Sequence, residues 1–489
     1  MQCIVPWEVV VITTRLQAAG FSAFVVGGAV RDLLLHKPIT DWDFTTNAEP
    51  AAIQSLFPEN FYENAFGTVG VSRAHIWQLY SRDPQALSSS EQEEIYEITT
   101  FRSESAYSDH RRPDAVQWGK TLEEDLIRRD FTINAMALQI PMLDIPDPAL
   151  AQVKVEATLI DPHHGQTDLE AGWIKAVGDP SRRFAEDALR MLRAVRLGAQ
   201  LQFHLDMDVL VALQTNSGLL QHIAGERIRD EFLKILITDQ VEDALTLLAT
   251  TGLLTYIVPE LLATKGIEQR GHHEHDVWTH SLRACATCPS TDPIVRLAVL
   301  LHDIAKPQTQ APLADHPGEY SFYNHEVAGA RVARDIARRL RLPKDDIQRI
   351  FTLVRWHMFH YQTTMTDAAI RRFIRRVGPE NIPDIIALRT GDRLGSGSKS
   401  TNWRLEEMKD RIEGQLHQPL KVADLVIDGN EVMATLQIPP SRRVGEILQA
   451  LFELVLEDPQ RNTIEYLRAA LPKVALEKNP PPVAEAGEL

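Results

Sequence analysis

Cysteine is scarce, with three in 489 residues. A disulfide framework is therefore excluded, and a reducing, cytoplasmic setting is expected. Cys285 and Cys288 form a single C-x-x-C with no second pair, on a stretch that reads as helical, so packing is expected there rather than zinc or redox chemistry. Long apolar runs are also missing: none approaches the ~20 residues a membrane helix needs. The opening MQCIVPWEVVVITTRLQ lacks a basic stretch ahead of its apolar residues and does not read as a signal peptide. Positive charge is short overall, 51 Lys and Arg against 67 Asp and Glu, for a net charge of −16. That balance argues against a protein that coats nucleic acid indiscriminately. A local basic surface is still compatible with it, because affinity comes from the phosphates neutralised at the contact. Basic clusters lie at 182–196, 331–341 and 371–376. Composition is otherwise that of a soluble globular protein, long enough for three or four domains, without internal repeats.

The stretch that organises the chain is 24–46, FVVGGAVRDLLLHKPITDWDFTT. An apolar strand ends in Gly27-Gly28, a helix begins at once, and a second strand carries Asp41 and Asp43. Two glycines allow a tight turn and a close approach to the backbone, and the unpaired N–H groups of the new helix suit a phosphate. Arg31 sits near the first turn, where the helix dipole disfavours a cation unless an anion is bound. Asp41 and Asp43, two apart on a strand, are expected on one face, where paired carboxylates can hold hard divalent ions for phosphoryl displacement.

A helix is expected over 7–19, a strand over 21–26, and further strands at 66–73 and 95–102. The polar 81–94 between them reads as an exposed hairpin insertion, and Glu97 is a candidate third carboxylate. Residues 103–119 have no clear period and read as a mobile loop. In 122–138 an acidic helix start leads to Arg128, Arg129 and Asp130, a candidate nucleotide contact. Residues 179–201, DPSRRFAEDALRMLRAVRLGAQL, read as one helix with Asp187, Arg190, Arg193 and Arg196 every three residues along a slowly turning face. One carboxylate against three arginines is poorly balanced for a salt-bridged surface. Cytosine and adenine both present an amino donor beside a ring-nitrogen acceptor, which an aspartate accepting next to an arginine donating would match. Uracil and guanine present the reverse order and would leave buried groups unpaired.

GGAVRD with DWD, RRDFTINA and EDALRMLR together resemble the class II tRNA nucleotidyltransferases (CCA-adding enzymes) and the related bacterial poly(A) polymerases, over roughly 20–240. The resemblance implies a palm-like head and helical neck, Mg²⁺ held by the catalytic Asp41 and Asp43, triphosphate contacts from Gly28 and Arg31, and nucleotide contacts from Arg129, Asp187, Arg190, Arg193 and Arg196. GERIRDEFLKIL, 225–236, resembles the helix that closes the neck. Arg196 is followed by Leu-Gly where relatives often carry an aromatic.

A second motif set follows. His280, His302-Asp303, His325, His357 and Asp392, with HDIAKP after a hydrophobic helix, resemble the HD phosphohydrolase superfamily over about 267–400. Imidazole and carboxylate ligands suit a divalent transition metal. His280, His302, Asp303 and Asp392 match the ligand positions, His325 and His357 the extra positions of some members, and Lys306 lies where a cation would steady a phosphate. His272, His273 and His275 read as a hydrophilic lead-in.

The expected architecture is an α+β nucleotidyltransferase palm, a small mixed sheet plus helices, followed by an all-α neck, an all-α HD domain and a helical tail. Boundaries are expected at 1–150 for the head, 151–263 for the neck, 264–400 for the HD domain, 401–475 for the tail and 476–489 for a disordered proline-rich end. The expected function is addition of C, C and A to tRNA 3′ ends from CTP and ATP on a protein template, with a second metal-dependent phosphohydrolase site. Partners are the tRNA acceptor end and the two nucleotides, without a membrane. The rivals are a poly(A) polymerase or a partial adding enzyme and, more distantly, an HD hydrolase with a regulatory RNA- or nucleotide-binding head. FGTVGV in place of a basic strand and the full-length 103–119 loop favour CCA addition.

Overall fold

The computed structural model describes the chain apart from residues 64–66, 103–117, 148, 270–274, 315–318, 360 and 478–489. Most of the 103–119 loop, His272, His273 and nearly all of the proline-rich end therefore lie outside the described residues. The chain divides into two compact units, Met1–Leu262 and Ala263–Leu489. Among the described residues no helix is long and apolar enough to cross a membrane.

Unit 1 opens with β1 (Gln2–Pro6) and the helix Trp7–Ala18, whose first eight residues are all buried, so this start belongs to the fold. The strands that follow are β2 (Ala23–Val26), β3 (Asp43–Thr46), β4 (Phe61–Glu63), β5 (Thr68–Ser72), β6 (Ile95–Thr100), β7 (Ala137–Gln139), β8 (Gln152–Glu156) and β9 (Thr158–Ile160). Seven of them form one sheet in the order β4-β5-β6-β3-β2-β7-β9, and β1 pairs separately with β8. Only the β3–β6 pairing in the large sheet is parallel. This is a mixed sheet with helices, as expected for the head. β2 has every residue buried, which is why AFVV carries no polar alternation.

Two local expectations fail. Residues 81–94 are not a hairpin insertion: the helix Arg73–Leu79 follows β5, then a short turn at Pro84–Ala86 and the helix Ser89–Gln92. The reason is legible in Ser88-x-x-Glu91, a capping box that satisfies free N–H groups at both ends of the exchange. The expected helix over 179–201 is two helices, Pro180–Glu186 and Leu189–Leu201, broken at Asp187, whose backbone is extended (φ −143°, ψ 103°). Its Oδ1 accepts the Leu189 N–H at 3.1 Å. A short polar side chain thus takes an N–H that a continuous helix would have paired, and starts a new helix instead. The rest of unit 1 is helical, including Gly225–Leu236 and Val241–Thr250.

Unit 2 is almost wholly α-helical. Its first half packs Val277–Thr287, Pro293–Leu301, His325–Arg339, Lys344–Trp356 and Ile382–Gly395 together. Close packing is severe where Gly395 meets the helix Val277–Thr287: a Cβ there would lie 2.7 Å from the Ala284 backbone nitrogen. The C-terminal helices Gly429–Leu436, Arg442–Glu457 and Ile464–Glu477 carry their own apolar cluster around Phe452, Ile447 and Leu451. Within the basic 371–376 run, Arg371 and Arg375 are spent on partners inside unit 2. Buried Arg371 donates to the Leu456 and Glu457 carbonyls (2.8 and 2.9 Å), and Arg375 pairs with Glu453 at 2.6 Å. A guanidinium on the last carbonyls of a helix satisfies orphan acceptors and the dipole together.

Candidate functional site

Gly27, at φ +74°, ends β2 and turns the chain into the helix Gly28–Leu34. A Cβ at Gly27 would sit 3.2 Å from Arg129 Nη1 and 3.4 Å from Asp43 Oδ2. The missing side chain is thus what lets a carboxylate and a guanidinium meet at the turn. Asp43 opens β3, and Glu97 is its direct partner across the parallel ladder, on the same face of the sheet. Asp41 is not on the strand. It lies exposed in the segment just before β3, outside the hydrogen-bonded ladder. Burial pushes the Asp43 carboxyl up from its ordinary pKa; Arg129 opposes this and the Asp41 charge adds to it. Carboxylate oxygens grouped in this way fit a hard divalent ion.

Arg31 is buried beside Gly28. Its Nε and Nη2 pair with Asp32 (2.9 and 2.8 Å), and Nη1 donates to Asn134 Oδ1 at 2.8 Å. The dipole objection to this cation is therefore answered by a neighbouring carboxylate. Arg128 and Arg129 share buried Asp125, each at 3.1 Å, and although burial opposes it, these two cations hold the Asp125 carboxyl below its usual range. Arg129 Nε is buried without a hydrogen-bond partner among the described residues.

The residues expected to form the template are also paired, with partners that are mostly remote in sequence. Arg227 clasps both oxygens of Asp187 (2.7 and 3.2 Å). Arg190 binds Glu186 at 2.8 Å and the Arg128 carbonyl at 2.9 Å. Arg193 binds Asp130 at 2.6 Å. Asp130 is fully enclosed; burial opposes its charge, but Arg193 and Arg190 bring its pKa down to about 2. Arg196 binds Glu231 at 2.6 Å. The missing negative charge on the 187–196 face is thus supplied by Glu186, Asp130 and Glu231.

Asp43, Glu97, Arg129, Asp187, Arg190 and Arg193 line one cavity of about 450 Å³. Arg196, Arg31, Gly28 and Asp41 are not among its lining residues. Arg227 does line it and was missed in the sequence. A signal existed: Arg227 and Glu231 are one turn apart and share a helix face with charges complementary to Asp187 and Arg196.

In unit 2 the six histidine and aspartate candidates converge, all buried. His280 Nε2 lies 3.1 Å from His302 Nε2 and 3.3 Å from Asp392 Oδ1. His325 Nε2 lies 3.3 Å from His357 Nε2. Asp303 presents Oδ2 to His302 at 3.2 Å and Oδ1 to His325 at 3.2 Å, so one carboxylate serves both histidine pairs. The same local device orients three rings: Nδ1 of His302, His325 and His357 donates to the carbonyl three residues back, Val299, Phe322 and Val354, at 2.7, 2.7 and 2.8 Å. His302 and His357 each follow a helix, where such carbonyls lack intrahelical partners. With Nδ1 donating, each inward Nε2 is left a lone pair. Buried lone pairs pointing at one another fit a cation between them, and backbone-held Nδ1 groups are how metal-ligating histidines are oriented.

Burial opposes charge on His302, but Asp303 and Asp392 outweigh it and raise its pKa. His357 is pushed down to about 3 by burial and by His302. Asp303 and Asp392 are held low despite burial, by His302 with Lys306 and by a hydrogen bond from His280, respectively. Lys306 is committed to Asp303 at 2.6 Å, and Arg389 to Asp392 at 2.6 Å. Cys285 and Cys288 are buried and thiol; burial lifts Cys285 to about 12, and no cysteine joins a metal-competent group among the described residues.

These sites coincide with three family models. Poly A polymerase head domain matches residues 23–175, probable RNA and SrmB-binding site of polymerase A matches 202–264, and HD domain matches 275–413. A CCA-adding enzyme of Geobacillus thermodenitrificans is 41% identical over 255 residues, 52% of this chain and 55% of that protein. One from Pediococcus pentosaceus is 42% identical over 245 residues, 50% and 54% respectively. The chain spans about half the length of the curated relatives it matches. Among solved structures, the Bacillus stearothermophilus CCA-adding enzyme in complex with CTP aligns over 96% of this chain and 98% of its own, with 26% identity and a TM-score of 0.66. The Thermotoga maritima CCA-adding enzyme complexed with tRNA aligns over 97% and 100% at 17% identity and a TM-score of 0.50, a likeness of fold alone. The sequence resemblance is thereby shown: the chain carries a poly A polymerase-type head and an HD domain, in the fold of CCA-adding enzymes.

Proposed function

We propose that this chain adds C, C and A to tRNA 3′ ends from CTP and ATP, and that unit 2 carries a separate metal-dependent phosphohydrolase. The observation that carries the first part is the single cavity in which Asp43 and Glu97 stand opposite Arg129, Asp187 and Arg190. Carboxylates for a metal–triphosphate and a donor–acceptor pair for a base edge then sit within one nucleotide's reach. Asp41 and Asp43 would hold Mg²⁺, with Glu97 adjacent. Bound there, the ion would supply charge neutralisation on the triphosphate and activation of the tRNA 3′-hydroxyl. The hydroxyl oxygen forms the new bond to the α-phosphorus, the bond toward the β-phosphate breaks, and pyrophosphate leaves. Arg129, lining that cavity, offers positive charge to the anion, and Gly27 and Gly28 keep the turn open to it. Arg31, fixed by Asp32 and Asn134, stiffens that turn and adds positive potential. Asp187 and Arg190 read the base by accepting from its amino group and donating to its ring nitrogen, for which the Arg227 and Glu186 pairs must open or shift. Arg193 and Arg196 position this helix through Asp130 and Glu231.

The HD ligands are His280, His302, Asp303, His325, His357 and Asp392, and a divalent transition metal there would activate water against a phosphoester. The boundaries near 150 and 400, and a cytoplasmic location consistent with three free thiols, belong to the same proposal. The test is incubation of tRNA transcripts ending before CCA, after C and after CC with single nucleotides. CTP alone should extend the first two, and ATP alone only the third. ATP runs on every transcript would identify a poly(A) polymerase, and extension of only one class a partial adding enzyme.

A further inference from the structure

The cavity around Asp43 has a second side, away from the glycine turn. In the sheet, β3 lies between β2, which ends in Gly27-Gly28, and β6, with β5 and then β4 beyond. On the β6 side a single face carries a row of polar groups. Glu97 is the ladder partner of Asp43, Thr99 is two residues further along β6, and Thr68 of β5 is the partner of Thr99. Residues two apart on a strand, and direct partners across a ladder, share a face. Thr68, Glu97, Thr99 and Arg102 all line the cavity of about 450 Å³. Thr68 Oγ1 lies 3.0 Å from Thr99 Oγ1 and accepts from Arg102 Nη2 at 3.2 Å. Further out, Gly70 of β5 stands between Glu97 and Phe61 of β4. The Phe61 ring occupies the space of the side chain that Gly70 lacks, so a Cβ there would run into it. That ring is 54% exposed and is held flat on the same face.

In a phosphoryl displacement the attacking and leaving oxygens stand roughly in line through phosphorus. With the triphosphate at the β2 turn and its metal on Asp43, the attacking hydroxyl must arrive from the opposite side, over β6 and β5. Two hydroxyls share one hydrogen bond there, so between them one O–H proton and several lone pairs remain for a ligand. A ribose 2′-hydroxyl, which both donates and accepts, matches that pair, and it is the group that distinguishes RNA from DNA. Arg102 adds positive charge for a backbone phosphate. Neighbouring strands are ~4.8 Å apart, so Phe61 stands ~14 Å across the sheet from Asp43, within reach of a base near the strand end. Exposed aromatic rings of this kind stack bases. Resting on the nucleotidyl-transfer reading, we infer that this face is the subsite for the acceptor RNA end. The Thr68–Thr99 hydroxyls read the 2′-hydroxyl of its last ribose, and Phe61 stacks one of its bases.

The full chain should be assayed with Mg²⁺ and ATP on tRNA transcripts ending in CC whose last ribose carries either a 2′-hydroxyl or a 2′-hydrogen. The kcat/KM ratio of the first to the second should be about tenfold, as for one hydrogen-bonded hydroxyl. It should fall toward one in Thr99→Val, which keeps the shape of the side chain and loses its oxygen. Thr99→Ser, which keeps the oxygen, should retain the preference, separating recognition from folding. Phe61→Ala, at an exposed position, should raise KM for the tRNA about tenfold, as expected for one lost base stack, without a matching rise in KM for ATP. A wild-type ratio near one, a ratio unmoved in Thr99→Val, or a tRNA KM unmoved in Phe61→Ala overturns the inference. Binding of the two transcripts without nucleotide, which needs no turnover, should show the same preference. That preference intact with no addition to either transcript overturns the transfer reading alone; equal binding with equal addition overturns the inference alone.

Discussion

The two candidate centres are built from different materials. In unit 1 the arginines and the aspartates beside them are held by one another, mostly from remote segments: Asp187 by Arg227, Arg193 by Asp130, Arg129 by Asp125. In unit 2 the reactive atoms are held largely by the backbone, three imidazoles being pinned through Nδ1 to carbonyls one helical turn away. Side-chain ion pairs can exchange partners when a ligand arrives; rings fixed to main-chain carbonyls cannot without unwinding a turn. The first construction suits a pocket that must accept two different bases in succession. The second suits an ion that stays while substrates pass.

That contrast can be broken first at the metal-competent groups. Asp43→Ala should lower nucleotide addition by ~10³-fold or more, the equivalent of several kcal/mol of charge stabilisation. It should leave phosphoester hydrolysis by unit 2 intact, and His302→Ala combined with Asp303→Ala should give the converse loss together with loss of bound transition metal. Both activities falling in a folded Asp43→Ala protein would falsify the separation.

The next effect is on stability. Asp130→Ala leaves half-exposed Arg193 without its carboxylate and should cost ~1.5–3 kcal/mol, seen as a lower urea midpoint for unit 1. The pH dependence has a definite sign. A carboxylate whose pKa is depressed on folding stabilises above its unfolded value and loses that contribution as pH falls. With a folded value of about 2, Asp130 should contribute ~2 kcal/mol above about pH 4, and the contribution should vanish toward pH 2. An acid limb that is the same in wild type and Asp130→Asn would remove it from this role.

Base choice is a smaller quantity. Asp187→Ala should cost C and A ~1–3 kcal/mol, about ten- to a hundredfold in discrimination, while UTP and GTP gain relatively, read as kcat/KM for each nucleotide. Arg227→Ala should shift discrimination the same way by only ~0.5–1.5 kcal/mol, because it orients the acceptor without replacing it. Equal slowing of all four nucleotides in Asp187→Ala would make the helix mere scaffold.

Smallest is the single ring of the HD cluster whose Nδ1 meets a side chain. Ser396 Oγ lies 3.4 Å from His280 Nδ1, and Ser396→Ala should weaken metal binding ~10-fold, the lower end for an outer-shell partner. No change in a metal titration would show that His280 is held by packing alone.

Much of this was legible in the residues. Gly27-Gly28 gave the turn, the apolar AFVV the central strand, and the histidine order the HD cluster. What escaped notice has physical causes. The break at Asp187 depends on a side chain capturing the N–H of Leu189, a competition that helical periodicity does not register. The Asp187–Arg227 and Arg193–Asp130 pairs join residues 40 and 63 positions apart, and only the tertiary fold brings them together. Asp41 falls just short of β3, because the hydrogen-bonded ladder begins only at Asp43. The basic run at 371–376 looked like a surface for RNA because its acceptors, the carbonyls of Leu456 and Glu457, are main-chain atoms that no charge count reveals.

Buried Arg371 has a further consequence, for how unit 2 comes apart. Its guanidinium is the joint between the helix Asp367–Val377 and the end of Arg442–Glu457, so cutting the chain at 400 would leave a buried cation with its acceptors gone. The C-terminal helices and the HD helices should therefore belong to one cooperative foldon, protected together in amide exchange and lost in one thermal transition.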